Sequence, residues 1–146
     1  MVDWAVEFVP PKNCPSVLEV GCGNGTLLFA LIATGYSPNT LSGIDYSQGA
    51  IELARSIAPT RGGKQITFTV GDFFNLNPLT LSHGLPGQQY DMWDLLLDKG
   101  TFDAIALGEK NEDGKSPAVA YPKQVAKLLK DTGFFLITCM SHQYLF

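Results

Sequence analysis

Charge is scarce in this chain. Asp, Glu, Lys and Arg together account for 16% of its 146 residues, against 45% hydrophobic residues, which excludes a self-repelling disordered chain. Basic charge is scarcer than acidic, ten Lys and Arg against fourteen Asp and Glu, for a net charge of -4. That is the wrong sign for a surface that tracks a phosphate backbone, so no nucleic-acid partner is expected. Long apolar runs are missing: the longest, Leu27 to Ala33, has seven residues, far short of a bilayer span. The opening MVDWAVEFV has no basic region before its apolar residues, so the expectation is no membrane span, no signal peptide and a cytoplasmic location. Cysteine is limited to Cys14, Cys22 and Cys139, without a CxxC pair, and the two histidines, His83 and His142, fall outside recognised ligand spacings. Reduced thiols and no metal site follow. Repeats, charge blocks and long linkers are lacking too, so residues 1–146 read as a single domain. A chain of this length can bury roughly 70% of its unfolded surface.

What the chain does contain is an alternation. Residues 2–9 carry apolar side chains at helical spacing and stop at Pro10-Pro11. SVLEV, 16–20, reads as a strand leading into Gly21-Cys22-Gly23-Asn24-Gly25, and 26–34 as a helix closed by Gly35. TLSGID, 40–45, is a second strand. Ser47 then N-caps a helix through Ala58 that turns Ala50, Leu53, Ala54 and Ile57 inward. QITFTV, 65–70, is a third strand, 75–89 a surface loop, and YDMWDLLLD, 90–98, a fourth strand. A helix over 121–130 buries Tyr121, Val125, Leu128 and Leu129 and places Lys127 and Lys130 near its C-terminus. GFFLITCM, 133–140, is a fifth strand. Strands alternating with helices imply an α/β fold: a Rossmann-like parallel sheet covered on both faces, with any ligand beyond the carboxyl ends of the strands where strand order reverses.

The chemistry-bearing residues gather at those ends. Glycines 21, 23 and 25 let the chain turn sharply and let backbone approach a ligand. A dinucleotide fingerprint beginning at Gly21 would need Gly or Ala at position 26, which is Thr26, and no Lys-Ser/Thr follows to make a phosphate-cradling P-loop. Asp45 ends the second strand, 20 residues after Gly25, where a carboxylate accepts from ribose hydroxyls. Asp72 and Asp98 end the third and fourth strands, and Glu19 lies just before the turn. Carboxylates repel pyrophosphate and suit a cation, and S-adenosylmethionine offers a sulfonium and an ammonium. Tyr46, Phe73 and Phe74 adjoin the acids and could sandwich a purine, with core packing the alternative for the two phenylalanines. Asp45 and Asp72 taken singly also fit helix caps or loop acids, and Glu19 a loop cap.

VLEVGCGNG resembles motif I of the seven-strand, class I S-adenosylmethionine-dependent methyltransferases, with GIDYS as the acidic second-strand motif and VGDFF as the third. LLLDKGTFDAI and GFFLITC are similar to the fourth- and fifth-strand motifs of the lysine methyltransferases that act on translation elongation factor 1-alpha. The resemblance implies the class I core, S-adenosyl-L-methionine as cofactor, and elongation factor 1-alpha as protein substrate. It implies that Glu19, Gly21 and Gly23 line the amino-acid end of the cofactor, that Asp45 holds the ribose, and that Asp72 and Phe73 meet the adenine, with Cys22 and Tyr46 also among the cofactor-binding residues. Asp98 would then stand beside the methyl donor as the catalytic residue, orienting the incoming lysine, or, alternatively, would only bond the cofactor or a backbone amide; Lys99, Gly100 and Thr101 would lie at the mouth, with Phe102 and Asp103 packing or capping the next helix. Relative to that family the chain reads as shortened at both ends, which leaves the fifth strand as a sheet edge and predicts self-association through it. A cofactor-binding fragment that cannot turn over, and a small-molecule methyltransferase of the same fold, are the alternative readings.

Overall fold

The computed structural model describes residues 1–76, 92–110 and 114–139. Five strands form one parallel sheet: β1 (Val17–Val20), β2 (Leu41–Asp45), β3 (Thr67–Val70), β4 (Trp93–Lys99) and β5 (Leu129–Thr138), in the order β3-β2-β1-β4-β5. The chain runs outward from β1 to β3, then crosses back to β4, so strand order reverses between β1 and β4. The crossovers are α1 (Val2–Phe8) ahead of β1, then α2 (Thr26–Ala33), α3 (Gln48–Ile57), α4 (Thr101–Leu107) and α5 (Tyr121–Leu128). The expected fold class is the one observed. Among the described residues, no helix is long and apolar enough to cross a membrane.

Alternation along β1 and β4 feeds two cores. Val17, Leu95 and Leu97 meet Ala5, Leu28, Leu31, Ile51 and Ala54 on one face. Leu18, Val20 and Leu96 meet Tyr121, Val125 and Leu128 on the other, as a sheet buried on both sides requires. Close packing fixes Gly43 in β2: a Cβ there would stand 2.7 Å from Cys22 Sγ and 3.0 Å from Leu28 Cδ1.

Three expectations are corrected. In α3 the buried residues are Ile51 and Ala54, while Leu53 is 49% exposed; it follows Ile51 by two residues, about 200° round the helix, and so faces away from the sheet. Second, α5 ends at Leu128 and passes directly into β5, which begins at Leu129 rather than at Gly133. Third, Lys130 is therefore a strand residue, and its Nζ pairs with Asp94 Oδ1 at 2.8 Å. Asp94 also accepts from Ser16 N and Oγ, both at 2.8 Å, tying the starts of β1, β4 and β5 together. Burial raises the Asp94 pKa, but the bonds from Lys130 and Ser16 outweigh it and hold the carboxyl below its usual range. The surface loop expected over 75–89 lies almost wholly outside the described residues, as do Tyr90 and Met140. Among the described residues β5 is a sheet edge, with Phe134 43% exposed.

Candidate functional site

The turn after β1 is built from glycine for two separate reasons. Gly21, Gly23 and Gly25 all have positive φ, 65°, 53° and 81°, where L side chains are strained. Gly21 is also crowded: a Cβ would overlap the Thr101 hydroxyl and stand 3.0 Å from Thr101 Cβ. That hydroxyl donates to the Val20 carbonyl at 2.9 Å, so the start of α4 is laced to the end of β1. Gly23 faces open space, with nothing within 4 Å of where its side chain would be.

Asp45 joins the strand ends. Its Oδ2 accepts from Gly23 N at 2.9 Å and its Oδ1 from Ser47 N at 2.9 Å, while its carbonyl accepts from Gly71 N at 2.9 Å. One residue thereby fixes the glycine turn, the entry to α3 and the segment leaving β3. Each carboxylate oxygen retains a further lone pair. Asp72 caps a short 3-10 turn, Phe73–Asn75, accepting from Phe74 N at 3.0 Å and Asn75 Nδ2 at 2.8 Å. The helix-cap reading held open for these acids thus describes part of what both do.

Between these ends lies a cavity of about 470 Å³. It is lined by Val20, Gly21, Ile44, Asp45, Tyr46, Gly71, Asp72, Phe73 and Phe74, and closed on the far side by Thr101, Ala104 and Ile105 of α4. Of the nine sequence-derived site residues, the cavity brings together Gly21, Asp45, Tyr46, Asp72 and Phe73. Tyr46 stands 85% exposed at its rim. Phe73 is both wall and core, 6% exposed with its ring 4.7 Å from that of Tyr121.

Glu19, Cys22, Gly23 and Asp98 lie outside that lining. Asp98, 0% exposed, accepts from Thr101 N at 2.7 Å, Phe102 N at 2.9 Å and the Tyr121 hydroxyl. It thus serves the first backbone amides of α4, the alternative that the sequence left open for this strand-end acid. Burial pushes its carboxyl above the usual range, with the three donors opposing; burial and the facing Asp98 push the Tyr121 hydroxyl up as well. Glu19 is 4% exposed. Leu28 N–H donates to its carboxyl, but Oε2 has no partner. Burial foremost, with Asp98 and Asp45 adding and Lys99 opposing, raises this carboxyl from an ordinary 4.5 to about 8. Burial likewise raises the Cys22 thiol, with Glu19 and Asp45 contributing.

Sequence reasoning missed Tyr121 as more than a core residue, and it missed Ala104 and Ile105 as wall. The pattern F-D-A-I gives α4 an apolar side, the signal that could have found the last two. No local signal marks Tyr121, whose partner is 23 residues away. Among the described residues no cluster of His, Cys, Asp and Glu suits a metal ion.

This arrangement can take a ligand with an aromatic base, hydroxyls for Asp45 and positive charge near the acids. A profile of the methyltransferase domain family matches residues 12–146. Human EEF1A lysine methyltransferase 2 is 41% identical over 138 residues, covering 94% of this chain and 52% of that protein. Protein-lysine N-methyltransferase EFM4 of Saccharomyces cerevisiae is 39% identical over 143 residues, 94% and 58% of the two chains. The chain spans about half the length of the curated relatives it matches. The crystal structure of coclaurine N-methyltransferase bound to N-methylheliamine and SAH overlays with a TM-score of 0.63 at 14% identity, over 94% of this chain and 34% of that one.

Proposed function

The chain belongs to the methyltransferase domain family, and from that premise we propose that it binds S-adenosylmethionine and methylates a lysine of translation elongation factor 1-alpha. The observation that carries this reading is the single cavity between the glycine turn and the ends of β2 and β3, with Asp45 and Asp72 both on its wall. The names of the human and yeast relatives support the lysine acceptor. The five strands of the described residues share one sheet, which supports reading residues 1–146 as one domain.

The residues fit the cofactor by their chemistry. Asp45 retains acceptor capacity for ribose hydroxyls, and Asp72 and Phe73 supply a polar edge and a flat apolar face for a purine. Gly23 leaves backbone open, and the partnerless oxygen of Glu19 suits a cation. Bound S-adenosylmethionine supplies a methyl group on a sulfonium, an electrophile for an amine. The protein's part is to hold the amine in line and keep water out. A lysine near pH 7.4 must first lose a proton, at a cost of about 4 kcal/mol. A carboxylate beside it would raise that cost, so Asp98 is assigned to positioning: it fixes the first turn of α4, which walls the cavity.

S-adenosylmethionine titrated into the protein, followed by labelled-methyl transfer to purified elongation factor 1-alpha, tests the reading. Saturable binding and label on lysine are expected. Binding without transfer would point to a non-catalytic cofactor binder, label on a small amine alone to a different acceptor, and no binding would end the proposal. We further propose that the edge of β5 pairs with a second copy of the chain; sedimentation showing a monomer at high concentration would refute this.

A further inference from the structure

We propose that Glu19 sits protonated in the free protein and releases that proton to solvent when S-adenosylmethionine binds, so that cofactor capture is coupled to proton loss. The inference rests on the reading of the site given above and adds a pH control to it.

One buried carboxyl oxygen has no hydrogen-bond partner. Glu19 lies in β1 between Gly43 of β2 and Leu97 of β4 and is almost wholly buried, yet Oε2 accepts nothing. A buried carboxylate is normally satisfied by several donors. Leu28 N–H, in the first turn of α2, is the donor to this group, and capping of that kind occupies one oxygen only. A glutamine would cap α2 equally well, so the cap alone does not call for an acid here.

Burial favours the neutral form most strongly; among the charges, Lys99, the last residue of β4, attracts a negative Glu19, while Asp98 of β4 and Asp45 at the end of β2 repel it. Cys22 in the turn is a thiol held neutral by the same surroundings. With two acids against one exposed lysine, and water excluded, the neutral form is favoured in the free protein, in line with a carboxyl raised to about 8. Glu19 adjoins Val20 and Gly21, which line one end of the cavity, and a ligand cation arriving at that end reverses the balance. The O–H bond of the carboxyl breaks, the proton passes to buffer, and the carboxylate left behind pairs with the ligand's positive charge. Net charge in the site is then lower by the proton lost and higher by the cation gained.

Calorimetric titration of the protein with S-adenosylmethionine at pH 7, in buffers of different ionisation enthalpy, counts the protons. Release of about one proton per molecule bound is expected, with affinity rising about tenfold per pH unit below pH 8. Glu19→Gln should bind with no release attributable to this site, and 5′-methylthioadenosine, which lacks both cationic groups, should release none from the unmodified protein. Carbon-13 NMR of the Glu19 carboxyl keeps the test independent of any variant. A midpoint near 8 in the free protein that moves down by two or more pH units on saturation is expected. Equal proton release by the unmodified protein and Glu19→Gln, or a free-protein midpoint in the ordinary carboxylate range, would overturn the inference. Absence of any binding heat would instead remove the reading of the site, and the inference with it; the two failures are distinct because the free-protein titration needs no ligand.

Discussion

Gly21→Ala is the substitution whose cost can be worked out most completely. The residue sits at φ 65°, where an alanine is disfavoured by about 1–2 kcal/mol. Its Cβ would also overlap the Thr101 hydroxyl, which must rotate away and give up its bond to the Val20 carbonyl, about 1 kcal/mol more. Together these predict a loss of about 2–3 kcal/mol, a large share of the roughly 5–15 kcal/mol that holds a domain folded. Thr101→Ala alone should cost only the hydrogen bond. In a Thr101→Ala background the hydroxyl overlap is gone and the new methyl group at position 21 meets the Cβ of residue 101 at 3.0 Å, so the backbone term remains together with a small shift to relieve that contact. Urea unfolding of the four proteins, followed by tryptophan fluorescence and circular dichroism, should therefore give a double variant about 1 kcal/mol more stable than the sum of the singles predicts. Strict additivity would refute the claim that Thr101 is what forbids a side chain at position 21.

Tyr121→Phe keeps the tilted ring contact with Phe73 and the edge-on contact with Phe102 but removes one donor from the buried Asp98 carboxyl; thermal unfolding should show a loss of about 1.5–3 kcal/mol, and an unchanged midpoint would contradict the network. Glu19 makes stability pH-dependent. Its pKa is about 8 in the folded state against an ordinary 4.5, so the stability it contributes is full below pH 4.5 and is lost as pH rises through 8, by about 5 kcal/mol in all. Denaturation at pH 5.5 and 8.5 should show that slope in the unmodified protein and not in Glu19→Gln. Asp45→Ala should weaken S-adenosylmethionine binding by roughly 1–3 kcal/mol and, because Gly23 N and Ser47 N both lose their acceptor, should lower the unfolding midpoint too; unaltered binding in calorimetry would deny it the ribose.

Local patterns carried most of the fold. Period-two and period-3.6 spacing, Gly35 after α2 and Ser47 before α3 are short-range signals, and the elements fall where they point. Where sequence reading slipped, a tertiary term decided. Lys130 looked like a helix-end cation, but its pairing with Asp94 belongs to a contact 36 residues away in sequence, and β5 starts early to make it. The i, i+3, i+4 and i+7 spacing of Ala50, Leu53, Ala54 and Ile57 places Leu53 inward, whereas the helix is turned so that Ile51 and Ala54 are buried and Leu53 faces outward. In the site, strand-end acids and aromatics were visible as residue types at recurrent positions. That Asp98 bonds backbone amides is one of the two readings open to it in sequence, whereas its bond from Tyr121 could not be seen, since that depends on how α5 packs over β4.

The contact between Gly43 and Cys22 carries a consequence for how such motifs diverge. The glycine of the second-strand motif is imposed by packing from two elements: a methyl group there would stand 2.7 Å from Cys22 Sγ, 2.9 Å from Cys22 Cβ and 3.0 Å from Leu28 Cδ1. Homologues that accept alanine at position 43 should therefore have given up bulk at positions 22 and 28 together. The three positions should co-vary across the lineage.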